Sequence, residues 1–183
     1  MTRNPVYIVD IIGTVVSDTD TSLKEDLTSY LSTSGKTLNY IYGDNDEINK
    51  QMQLLSQGTN SKAKRFPLIA LIMPIKVIDG ELWQVPLMKL VIATETNADL
   101  LFSARYEQSF KPILYPIYYE LMEQLMHRTV DSDIQAMAPS ITEVPKYVPI
   151  IQKEKVDGIV NTIVDALVIE ISKTLIFSPF NCY

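Results

Sequence analysis

The sequence predicts an α+β fold: a small antiparallel sheet packed against two or three helices, with an extended loop or arm. Three observations carry this expectation. Phe66 to Ile75 is an unbroken apolar run, too short for a helix and bounded by Pro67 and Pro74, as in a strand buried on both faces. Near the C-terminus Leu167, Ile169 and Ile171 alternate with Val168, Glu170 and Ser172, the period of a strand. Between them Ile113, Ile117, Leu121 and Leu125 recur every four residues, the stripe of an amphipathic helix.

Taken in order, Asn4 and Pro5 form a helix start, and Ile8, Ile12, Val15 and Val16 then predict a first helix from Pro5 to Val16. Residues 17–37 are rich in Ser, Thr and Asp and read as a polar insertion, with room for a short helix around Leu23, Leu27, Tyr30 and Leu31. The alternating "LNYIYG" ending at Gly43 predicts a strand. Asp44 and Glu47 have capping-box spacing ahead of Ile48, Met52 and Leu55, so a helix follows and Gly58 closes it. After the apolar strand, Asp79-Gly80 signals a turn, and Met88, Leu90 and Ile92 alternate in a further strand. A short helix from Leu100 to Tyr106 then leads into a longer one ending near Arg128, broken or kinked at Pro112 and Pro116. The three prolines of residues 131–155 predict an extended arm or long loop. Residues 154–164 fit helix and strand equally.

The chain has 183 residues, a length that suits one domain with its own core. Cys182 is the single cysteine, so neither an intrachain disulfide nor a thiol metal cluster can form. The apolar N-terminus is interrupted by Asp10 and reads as a mature helix rather than a signal peptide, and no run is long enough to span a membrane. A net charge of −6 and a pI near 4.8 argue against a phosphate-gripping surface, and the "KAKR" cluster at Lys62 to Arg65 is short.

No catalytic constellation stands out, so the chain is expected not to be an enzyme and to carry no cofactor or metal. The six glycines are scattered singly, which excludes a phosphate loop. His127 lies near a helix C-terminus, where it complements the dipole. Asp18 and Asp20 lack the remainder of a calcium loop. Glu107, Glu120 and Glu123 fall where a surface helix carries carboxylates. What stands out is tyrosine, ten in all. Tyr115, Tyr118 and Tyr119 share one arc beside the aliphatic stripe. Stripe and arc together cover roughly two-thirds of the helix, more than one core face requires. Tyrosine buries area while keeping a wet polar tip, so the arc serves either as a wider core face or as a contact surface.

The order "YGDNDEINKQMQLLSQ", "KRFPLIALIMPI", "LVIATETNADLLFSARYEQSFKPILYPIYYELMEQL" and "VDALVIEISKTLIF" resembles the small neck and tail-completion proteins of tailed phages of Bacteroides-like hosts, including crAss-like phages. The residues that carry the resemblance are Pro67-Leu68-Ile69, Ala93-Thr94, Arg105-Tyr106, Phe110-Lys111-Pro112, Leu114-Tyr115-Pro116-Ile117-Tyr118 and Asp165-Ala166. It spans residues 40–128 and, less closely, the last strand; residues 17–37 and 131–155 depart from it. The resemblance implies a tail-terminator-like fold and a structural virion protein made in the bacterial cytoplasm. Such proteins form a homo-oligomeric ring, hexamer or dodecamer, that joins head or portal to tail around a DNA channel. It also implies neighbouring neck, tail or portal proteins as partners, and DNA passing through the lumen without specific binding. No membrane is involved. Tyr115, Tyr118, Tyr119 and Arg105 are the expected subunit-interface residues. Two other readings stay open: a small-molecule binding module using tyrosine hydroxyls and Glu120, and a protein–protein adaptor unrelated to virions.

Overall fold

In the computed structural model, residues 8–44, 46–48, 50–51, 66–73, 83–97, 99–130, 134–135, 139–147 and 164–176 are described. The first helix, α1, covers Ile8–Glu25 and runs nine residues past the expected end at Val16. It continues because Thr19 and Leu23 extend its buried face in four-residue steps. Its threonines do not interrupt it: the Thr14, Thr19 and Thr21 hydroxyls donate to carbonyls one turn back. The polar stretch 17–37 is thus built into the fold, with a short α2 at Tyr30–Ser34. Ser29 caps α2 by accepting from Ser32 N, and Gly35 ends it at φ 63°. Asp20 ties α1 to the next strand, accepting from Leu38 N at 2.8 Å and from Lys24 Nζ at 2.6 Å.

Strand β1 (Asn39–Gly43) ends where Asp44 and Glu47 form the expected capping box. Glu47 N donates to Asp44 Oδ1 at 2.9 Å, and Asp44 N to Glu47 Oε2 at 3.0 Å. Residues 46–48 and 50–51 are helical. Gly43 has φ 146°, which side-chain-bearing residues rarely adopt, and a Cβ there would lie 2.7 Å from Glu47 Cβ, so the tight entry to this helix needs glycine. The expected end of this helix at Gly58 and the Asp79-Gly80 turn lie outside the described residues, as do residues 154–163.

The remaining elements are β2 (Leu68–Ile72), β3 (Trp83–Glu95), α3 (Phe102–Arg105), a π-helical stretch (Tyr106–Leu114), α4 (Tyr115–Val130), β4 (Ile134–Gln135), β5 (Ser140–Tyr147) and β6 (Val164–Ile176). The strands form one open sheet in the order β1-β2-β3-β6, with β4 and β5 following one another along the far edge of β6. The α+β class is as expected, but the sheet is mixed. β1 and β2 are parallel because the chain crosses back between them; among the described residues the other pairs are antiparallel. The described part of the expected Pro-rich arm forms the sheet edge instead. Pro145 lies at the register irregularity between Val144 and Tyr147, where an edge strand tolerates a residue without an N–H.

Alternation along the strands divides the core into two layers. Ile69 and Leu71 of β2, Met88, Leu90 and Ile92 of β3, and Leu167, Ile169 and Ile171 of β6 pack with α1, α4 and the π-helical stretch. Leu68, Ala70, Val91, Ala93, Ala166 and Val168 form the opposite layer with Ile41, Ile48 and Phe66. The unbroken apolar run of β2 therefore means what the sequence predicted, a strand inside the sheet buried on both sides.

Candidate contact surface

The helical layer places the four expected interface residues very differently. Ile113, Ile117, Leu121 and Leu125 form the predicted stripe and are buried against the sheet. Tyr118 joins them in the core, and burial raises its phenol pKa. Tyr119, one residue on, is 64% exposed. Tyr115 lies between, packed partly on the core while its hydroxyl donates to Glu143 Oε1 of β5.

Arg105 is not a surface residue, which corrects its expected place at an interface. It is 1% exposed, and its Nη1 meets Asp165 Oδ1 of β6 at 2.9 Å. The rest of its fork is satisfied locally: Nε donates to Leu100 O at 2.9 Å, Nη1 to Thr96 Oγ1 at 3.2 Å and Nη2 to Asn97 O. The guanidinium thus ties the β3–α3 turn to the first residues of β6. Asp165, set beside the apolar run Ala166 to Ile169 at the start of β6, was the signal in the sequence for a buried acid that needs a cation.

Rings connect along the outer side of these helices. Tyr106 and Tyr115 have centroids 6.4 Å apart and Tyr115 and Tyr119 6.1 Å, while Tyr119 backs onto the core ring of Tyr118 at 5.3 Å. Leu101, Phe102 and Tyr106 are exposed on the same segment. The result is a ridge of aromatic rings on the outside of α3, the π-helical stretch and α4. Spacing on a regular helix pointed to the tyrosine arc but missed Phe102 and Tyr106, because their outward position depends on the π winding.

The Glu143 contact holds the Tyr115 proton. That hydrogen bond, followed by burial, pushes the phenol from 10.0 up to about 12. A folded pKa above the unfolded one gives stability that is present below about pH 10 and lost as pH rises through about 12. Tyr115→Phe is expected to remove one late-titrating phenol from an ultraviolet difference titration. Loss of an ordinary phenol instead would mean that the Glu143 bond does not hold in solution.

The carboxylates weighed as an acid–base set do not converge. Glu107 pairs with Lys111 at 3.1 Å, Glu120 accepts from Gln124 at 2.7 Å and Glu123 faces His127 at 3.7 Å, each engaged with a partner one turn along its own helix. Asp20 is engaged by Lys24 and Leu38. Among the described residues no cluster of three metal-ligating side chains occurs, and no helix is long and apolar enough to cross a membrane.

Sheet and helices thus define an α+β protein with its helices α1 and α4 on one sheet face and a ridge of rings along α3, the π-helical stretch and α4. No protein-family model and no curated protein matches the chain.

Proposed function

We propose that this chain is a structural subunit of a ring in the neck or tail of a tailed phage, joining head or portal to tail around the DNA channel. The observation that carries the proposal is the aromatic ridge. Tyr119, Tyr106 and Phe102 stand outside a helical layer whose aliphatic stripe is already used by the sheet. Rings held rigidly against one another bury large area at little cost in side-chain entropy, which suits a contact between copies of the chain. The motif order resembling phage neck proteins supports the same reading, and a net charge of −6 suits a lumen through which DNA must slide. Neighbouring neck, tail or portal proteins would stack above and below the ring.

Native mass spectrometry of the purified chain at high concentration is expected to show a closed hexamer or dodecamer, and electron microscopy of particles to place it between head and tail. A strict monomer with no place in the particle would overturn the proposal. Tyr119→Ala is expected to weaken ring assembly at least tenfold, a loss of about 1.4 kcal/mol per contact. Because Tyr119 is exposed, its effect on folding is expected to stay within about 0.5 kcal/mol. Equal losses in assembly and in the urea midpoint would assign Tyr119 to the fold.

A further inference from the structure

The segment 102–114 carries two competing helical stripes. Four-residue steps back from Leu114 land on Phe110, Tyr106 and Phe102, an aromatic stripe that an α-helix would turn toward the sheet. Five-residue steps land on Ser109 from Leu114 and on Arg105 from Phe110. The structure keeps Phe110 and Leu114 of the first stripe inside and continues from them by the five-residue steps. Tyr106–Leu114 is π-wound, with Tyr115 N donating to Phe110 O five residues back. Arg105, Ser109, Phe110 and Leu114 are buried, while Phe102 and Tyr106 are 52% and 38% exposed.

We infer that Arg105 and Asp165 are a positioning pair that selects the π winding and so sets Phe102 and Tyr106 outward as part of the aromatic ridge. Pro112 lies inside the π-helical stretch, and its ring would crowd the Gln108 carbonyl of an α-helix, so it disfavours the α ladder locally without setting which residues turn inward. A buried arginine does choose. Its fork reaches Asp165, Thr96, Leu100 and Asn97 only when residue 105 faces inward. Without that demand the aromatic stripe is the better core face. The pair therefore acts on the ridge through the helix without touching whatever the ridge contacts. Only the use of the ridge rests on the assembly proposal; the winding itself does not.

The test uses two single-cysteine probes, Tyr106→Cys and Ser109→Cys, each in the full chain carrying Cys182→Ser and kept dilute so that assembly does not mask either site. Thiol labelling is expected to be fast at position 106 and slow at 109 in the parent. Asp165→Asn is expected to slow 106 and speed 109, each about tenfold, as the α winding takes over. Thr96→Val, a milder change to the same fork, is expected to shift both in the same directions by less. Local unfolding speeds 109 without slowing 106, so that pattern in both variants would overturn the inference, as would unchanged labelling. Pro112→Ala is expected to leave both rates within about twofold, since it leaves the buried fork intact. A reciprocal shift in Pro112→Ala alone would assign the choice to the proline. Each result is read from labelling, so a ridge that proves not to join copies leaves this test unchanged.

Discussion

Asp165→Ala is expected to destabilise the chain by about 3–5 kcal/mol, the range for removing one member of a buried ion pair. The two side chains are 1% and 0% exposed, so the guanidinium left behind keeps its charge without water to solvate it. The loss would also release the β3–α3 turn, because Thr96, Asn97 and Leu100 meet β6 through the same fork. Against total stabilities of about 5–15 kcal/mol this is a large fraction, enough to lower the urea midpoint severely. The combination Arg105→Met with Asp165→Leu removes both charges and fills the volume, and is expected to recover much of the loss. A single-variant loss below about 1 kcal/mol in urea unfolding would mean that the pair is solvated and the buried geometry wrong.

Ile117→Ala is expected to cost about 2–5 kcal/mol, the penalty for a cavity in a close-packed core. Ile117 lies on the stripe where α4 meets the sheet and is almost fully buried, with Leu114, Leu121 and the odd-numbered apolar residues of β6 in the same cluster. Rigid strands on one side and a helix held by α1 on the other leave little room for collapse, which puts the effect toward the upper part of that range. The contrast with Tyr119→Ala, two residues along, separates core from contact surface on one helix. Urea unfolding measures both. Comparable losses at the two positions would show that α4 buries the Tyr119 side as well.

Element by element, the sequence was most legible where one period dominated. The strand at Leu68–Ile72, the alternation at Met88, Leu90 and Ile92, and the stripe from Ile113 to Leu125 all emerge as read, because burial on one or both faces leaves a periodic trace. The capping box at Asp44 and Glu47 was equally legible, since it is a local exchange of two hydrogen bonds. Reading failed at residues 17–25. Threonine and aspartate suggested a polar insertion there with room for only a short helix from Leu23, while hydroxyls bonded one turn back and a buried Leu23 carry α1 onward.

The candidate surface was legible only in part. Tyr115 and Tyr119 were read from their arc, and both lie on the ridge; Tyr118 went to the core and Arg105 to a buried pair. The sequence by itself determined the α+β class, the main core stripes and the surplus of aromatic surface on the helix from 110 to 126. Only the tertiary structure decided that β1 lies parallel to β2, that residues 140–147 close the sheet edge and which rings face outward. The physical reason is range. Periodicity and capping are settled within a few residues, whereas the phase of the 102–114 segment depends on an aspartate sixty residues away whose charge must be met.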